Sequence, residues 1–266
     1  LSRLPLGAAA RFRGDGAPVP GRAAQGDAVG WAAVAARAAG LGAGAPSASR
    51  PASSQPAPAP AAAWRGRPDY WEGEPGDYLG NALAAGALGG GVPGRAFLAP
   101  GRGLVRRADD PGSGLDSAAA WAVRPFREPR LLGAARATLA RLADGAGRFG
   151  LLPGEGWRGG RDPWTAPTAW SAWALAALAR EERAAASRAV GAPRRALLAR
   201  AARDRRRALR LLASLRHAAT PLGLLPERVD ASTGAPRSTT PLAWSHAFTL
   251  LAIHELWPPS PTAVTP

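Results

Sequence analysis

Hydrophobic and polar positions in this chain recur with helical periods and almost nowhere with the two-residue period of strands. From Arg194 to Arg216, the apolar Leu197, Ala201, Ala208, Leu212 and Leu215 fall on one helical face, with Arg203, Arg207 and Arg210 opposite. Arg130 to Leu142 follows the same scheme. Ala166–Ala179 and Pro241–Ile253 are apolar nearly all round, which predicts helices buried on every side. Shorter helices are expected at Arg22–Ala39, closed by Gly40, at Asp77–Leu88 and at Leu115–Val123. Thr240 fits an N-cap and Pro241 the first position of the last helix. Sustained alternation is absent, so strands are not expected. Outer one-sided helices alternating with inner apolar ones predict an all-α, two-layer α/α toroid. A four-helix bundle would need one-sided helices throughout.

Organisation follows from what separates these elements. Residues 1–21 read as an irregular N-terminal segment, 22–258 as one helical domain, and 259–266 as a disordered tail. Within the domain, 44–63 is a Pro/Ser/Ala-rich loop without periodicity, and Gly89–Gly114 is glycine-rich and irregular. The 266 residues, 46% hydrophobic, suit one large helical domain.

Charge changes the picture less than its size suggests. The formal net charge is +15, yet all 34 basic residues are arginine, and Met and Cys are absent, as a high-GC coding bias would produce. The basic runs "RRALLARAARDRRRALR" and "RGLVRRADD" carry no interleaved aromatics. They read as solvated faces, and nucleic acid is not an expected partner. Without cysteine there are no disulfides, thiolate metal sites or thiol nucleophiles. No run of ~20 strongly apolar residues indicates a membrane span. No charged segment followed by an apolar one opens the chain, so a cytoplasmic location is expected. The first residue is Leu1, which suggests a start partway into a longer gene product. "GALGGGVPG" lacks the Gly-Lys-Ser/Thr ending of a phosphate loop. His246 reads as a core polar group, and His217 and His254 are too far apart for a helical metal pair.

Two carboxylates stand out. Glu227 follows Gly-Leu-Leu-Pro and precedes a loop of Ser, Thr, Gly and Pro that leads into a tryptophan-bearing helix. Glu72 directly follows Trp71. An aromatic neighbour can desolvate a carboxyl group and favour its protonated form, as a general acid requires. Glu227, beside Arg228, would be held ionised, as a general base requires. Carboxylates in contrasting environments are the recurring arrangement of glycoside hydrolases. Taken alone, each also fits a plainer role, an ion-paired loop glutamate and the start of a helix.

Four blocks together resemble glycoside hydrolase family 15, the glucoamylase, glucodextranase and bacterial trehalase-like group, particularly its shorter actinobacterial members. "RAAQGDAVGW" resembles the family's Gln-x-Asp helix, and "PDYWE" its Asp-x-Trp-Glu, whose Glu is the general acid. "LPGEGWRGGRDPWTAPTAW" resembles its Gly-Gly-Asn-Pro-Trp loop and following inner helix. "GLLPERVDASTGAPRSTTPLAWSHAF" resembles the segment bearing the general base. Ser238, eleven residues after Glu227, stands where the family places a serine that helps hold the catalytic water; Trp244, seventeen after, stands at its Trp-Ser.

The resemblance implies an (α/α)6 barrel and hydrolysis of α-glucosidic bonds of starch-like oligosaccharides with inversion, with α,α-trehalose as a substrate variant. Glu72 would be the acid and Glu227 the base, with Asp69, Trp71, Trp157, Ser238 and Trp244 at the sugar and Trp164 more structural. It implies no metal and no organic cofactor. The chain departs from the family pattern in four places. No Arg-Asp pair precedes Arg22, so the early hairpins of the barrel are not represented. Gly73 follows the acid where a second Glu is common, Arg228 follows the base where Gln is usual, and Leu151 and Leu152 occupy the place of a sugar-contacting arginine. A non-catalytic remnant of such an enzyme is therefore the alternative reading.

Overall fold

The computed structural model describes residues 11–40, 64–89, 92, 94–101 and 103–259. Residues 1–10, the expected loop at 44–63 and residues 260–266 of the expected tail lie outside them. The described residues form helices α1 (Ala28–Ala38), α2 (Leu79–Gly86), α3 (Leu132–Asp144), α4 (Thr165–Ala186), α5 (Gly191–Ala218) and α6 (Ala243–Leu256). Short 3-10 segments cover Gly94–Phe97, Pro111–Ser113, Ser117–Ala122 and Pro129–Leu131.

The centre is α4. Every residue from Thr165 to Ala179 is buried, as its all-round apolar sequence requires. It packs along α5 on one side, α6 on another, and against the 3-10 turn Ser117–Ala122. That alanine-rich turn and α4 approach closely, and Trp121 and Trp170 fill the space between them, ring centroids 5.4 Å apart. α5 is the outer layer. Ala201, Ala208, Leu211 and Leu215 face inward, while Arg203 and Arg210 face solvent. Leu211, rather than the expected Leu212, is the fully buried leucine of that turn. Buried charges tie the layers together: Glu182 of α4 meets Arg136 of α3 at 3.0 Å and Arg200 of α5 at 2.7 Å, and Arg136 also holds the buried Asp204 at 2.9 Å.

Several expected boundaries move. The first helix begins at Ala28, not Arg22, because the preceding segment is bound elsewhere. The Gly26 amide donates to the Pro68 carbonyl at 3.2 Å, and a Cβ on Gly26 would lie 2.5 Å from the Asn81 side chain. Leu115–Val123 folds as a 3-10 turn capped by the Asp116 carboxylate rather than as an α-helix. The last helix starts at Ala243, so Thr240 is not its N-cap and Pro241 not its first residue. The Leu242 amide instead donates to the Leu225 carbonyl at 2.8 Å, which keeps that residue extended.

Nor is the last helix buried on every side. α6 covers Ser245, Phe248, Ala252 and Glu255, while Leu250 is 66% exposed and Leu251 and Ile253 are also exposed. Its main partner in the described residues is α4, with Trp31 of α1 against Phe248 at 5.6 Å between ring centroids. Inside the glycine-rich stretch, two short antiparallel strands pair, β1 (Leu98–Ala99) and β2 (Gly103–Leu104), with Leu98 opposite Leu104 and Ala99 opposite Gly103. Period-two alternation cannot announce a strand of two residues.

Candidate active site

The segment Pro68–Glu72 makes a tight turn around Asp69. The fully buried Asp69 carboxylate accepts the Trp71 amide at 3.1 Å, and the Asp69 carbonyl accepts the Glu72 amide at 2.8 Å. This leaves Glu72 at φ +55°, a left-handed conformation that a β-carbon opposes. The turn therefore holds Glu72 in a sparsely populated conformation, compensated by the two hydrogen bonds and by Arg106. Arg106, from the glycine-rich stretch, donates Nη2 to Asp69 at 2.7 Å and lies 3.9 Å from Asp116. Its guanidinium sits 5.2 Å from the ring centroids of both Tyr78 and Trp157. The two carboxylates beside it drive the Arg106 pKa up despite its burial. Burial pushes the Asp116 carboxyl up to about 6, opposed by Arg106. Tyr70, donating to Asp116 at 3.2 Å, is driven well above its ordinary range by burial and by the two aspartates.

The second loop is held from its backbone. The Glu227 amide donates to the Thr239 carbonyl at 2.9 Å, and the Glu227 carbonyl accepts the Thr165 amide at the start of α4 at 3.0 Å. The Val229 amide donates to the Pro163 carbonyl at 3.1 Å, so this strand of the loop lies along Pro163–Thr165. The Thr165 hydroxyl donates to the Pro226 carbonyl and lies 2.7 Å from the buried Ser245 hydroxyl of α6. Farther out, the Asp230 carboxylate accepts the amides of Ser232 and Thr233 and closes the tip of the loop.

Tryptophans join the two loops. Trp71 lies 4.6 Å from Trp164, 5.2 Å from Trp157 and 6.2 Å from Trp244, measured between ring centroids, with the first and last edge-on. Trp164 immediately precedes Thr165, whose amide is on the Glu227 carbonyl. The backbone of Glu227 and the turn that carries Glu72 are therefore joined through Trp164 and Trp71. The indole nitrogens of Trp71, Trp157, Trp164 and Trp244 and the Ser238 hydroxyl are all buried without a hydrogen-bond partner. Such a set of unused donors around apolar faces suits a ligand rich in hydroxyl oxygens. Trp71, Trp157, Arg106 and Asp116 line a cavity of about 20 Å³, room for a water molecule but not a sugar ring.

The environments of the two glutamates differ from expectation. Glu72, 17% exposed, is not an isolated carboxyl beside Trp71. Its Oε1 accepts Arg11 Nε at 2.7 Å and its Oε2 accepts Arg22 Nη1 at 2.6 Å. Arg228 does not pair with Glu227; its guanidinium lies 5.9 Å from the Trp164 ring centroid. Among the described residues, the Glu227 side chain makes no ion pair or hydrogen bond. His246, read from sequence as a core polar group, is half-buried, its Nε2 accepting the Leu225 amide at 2.9 Å. Three or more metal-binding side chains cluster nowhere among the described residues.

Sequence reasoning missed Arg11, Arg22, Arg106, Asp116 and Asp27. Arg106 sits in "RGLVRRADD", read as a solvated face, and is largely buried here. Its carboxylate partner Asp69 lies 37 residues away in sequence, so no local pattern marked it. Asp27, at the N-cap of α1, is 4% exposed, and burial pushes its carboxyl up to about 7.

No protein-family model matches the sequence, and no curated protein sequence matches it. Solved structures do. A glucoamylase of Hormoconis resinae superposes with a TM-score of 0.52 at 16% identity, and a glycoside hydrolase family 15 glucoamylase of Hypocrea jecorina with a TM-score of 0.50 at 16% identity. Each match covers 72% of this chain and 44% of the glucoamylase, so the chain spans less than half the length of these proteins. The fold is accordingly like that of glycoside hydrolase family 15, the helices corresponding to part of an (α/α)6 toroid.

Proposed function

We propose that this chain is an inverting glycoside hydrolase acting on α-glucosidic bonds of starch-like oligosaccharides, with Glu72 as general acid and Glu227 as general base. The reading is supported above all by one observation: the loops that carry Glu72 and Glu227, far apart in sequence, meet through a tryptophan cluster whose buried indole donors have no partner. In such a reaction the base takes a proton from water attacking the anomeric carbon on one face. The acid gives its proton to the departing glycosidic oxygen on the other face, and the configuration inverts. The carboxyl groups then stand ~6.5–9.5 Å apart so that the water fits between sugar and base. Trp71, Trp157 and Trp244 offer flat faces to the ring and Ser238 a polar contact, while Asp69, buried on the Trp71 amide and Arg106, shapes the turn instead of meeting the sugar. A sugar ring enters by parting Trp157 from Trp71. Trp157 lies in a loop between Gly156 and Gly159–Gly160, where Gly156 and Gly160 take positive φ, and it is only half-buried.

The test is hydrolysis of maltotetraose by the native chain, Glu72→Gln and Glu227→Gln, with the anomer of the first glucose released read by proton NMR. Loss of an acid or base lowers turnover by roughly 10²–10⁴-fold, and an inverting enzyme releases β-glucose first. Equal glucose release by all three proteins would identify a non-catalytic remnant instead.

A further inference from the structure

Both oxygens of Glu72 are taken by arginines, and this says something about the substrate. The inference rests on Glu72 being the acid that faces the leaving group. Arg11 and Arg22 approach Glu72 from the solvent side, their side chains 56% and 47% exposed. Residues 11–19 fold back on themselves, with the Val19 amide on the Arg11 carbonyl at 2.9 Å and the Arg13 amide on the Ala17 carbonyl at 2.8 Å. Downstream, the Gly26 amide is bound to the Pro68 carbonyl, on the same turn that carries Glu72. The Gly26–Pro68 bond keeps the chain that carries Arg22 beside the turn that carries Glu72.

A general acid must face the leaving oxygen. Turning Glu72 toward it leaves two guanidiniums without a carboxylate partner. A neutral leaving group does nothing to restore that loss. A leaving group bearing its own carboxylate or phosphate does: it pairs with Arg11 and Arg22 and frees Glu72 to face the glycosidic oxygen. Each guanidinium presents a fork of donors that matches a carboxylate or phosphate. We propose that Arg11 and Arg22 are specificity-determining residues and that the preferred substrates are α-glucosides whose leaving group carries an anionic substituent.

The probes are 4-carboxyphenyl α-D-glucopyranoside and its neutral counterpart, 4-carbamoylphenyl α-D-glucopyranoside. Affinity is read without turnover in Glu227→Gln, by tryptophan fluorescence, and kcat/KM in the native chain. The anionic glucoside is expected to bind about tenfold tighter at low salt, with the advantage shrinking as salt screens exposed charges. In Arg11→Ala/Arg22→Ala the ratio falls to about one, and Arg22→Lys restores part of it. Equal affinity for the two glucosides in Glu227→Gln overturns the inference. So does a double variant that is simply faster on both substrates, which would mark the arginines as an inhibitory clamp. Failure of the hydrolase reading looks different: the native chain and Glu227→Gln would turn over either glucoside equally, whatever their relative affinity.

Discussion

Asp27→Asn should make the protein more stable at neutral pH and leave it nearly unchanged in acid. Asp27 is 4% exposed, and one of its carboxylate oxygens has no hydrogen-bond partner. Burial, with the nearby Asp69 adding to it, raises its pKa from 3.8 to about 7. The folded state therefore holds this proton more tightly than the unfolded chain. Between pH 3.8 and about 7, the folded protein keeps the proton while the unfolded chain has lost it. Stability falls as pH rises through that window, at about 1.4 kcal/mol per unit. Summed over about three units, the loss is about 4 kcal/mol, complete above pH 7, against a total stability of ~5–15 kcal/mol for a domain. Asparagine keeps the shape and cannot ionise, so it escapes the loss.

Urea unfolding of both proteins at pH 4.5, 6 and 8, followed by tryptophan fluorescence, gives the difference in stability at each pH. Taking the difference removes carboxylates that slope the other way, such as Asp144, whose pKa is lowered by its hydrogen bond to Arg207. The difference should grow in favour of Asp27→Asn by several kcal/mol from pH 4.5 to 8. A constant offset across that range would show that Asp27 ionises as readily in the folded protein as in the unfolded chain, and the argument from burial would be wrong.

Other substitutions test other parts of the structure. Arg106→Gln strips the shared cation from the buried Asp69 and Asp116, and should cost about 3–5 kcal/mol in urea unfolding at pH 7; a change below ~1 kcal/mol would show that the two aspartates do not need it. Gly30→Ala places a Cβ 2.3 Å from the Ala84 carbonyl oxygen, so α1 and α2 must separate. Thermal unfolding should show a loss of about 1–3 kcal/mol, and a neutral result would mean the helices do not touch there. Trp170→Ala empties a fully buried site between α4 and the Ser117–Ala122 turn. It should cost about 3–5 kcal/mol, and full native stability in the variant would contradict that packing.

What was legible in the sequence was whatever depends on short-range pattern. α4 is apolar all round over four turns and is buried all round; α5 carries a leucine and alanine face against an arginine face and lies on the outside. Of the candidate site, the motifs pointed to the tryptophans Trp71, Trp157 and Trp244, whose rings gather with Trp164 where the two loops meet. α6 shows where pattern stops. Its sequence is as apolar as that of the buried helix, but burial needs neighbours, and only one of its faces meets α4 in the described residues.

The tertiary structure alone decided the charges. Arg11 and Arg22 reach Glu72 across 61 and 50 residues, and Arg106 reaches Asp69 across 37. An ion pair depends on where side-chain ends meet in space, and nothing in the composition of an arginine-rich chain distinguishes the few guanidiniums that turn inward from the many that remain in water. Hydrophobic period is set by the backbone turn and is written locally; electrostatic partnership is set by folding and is not.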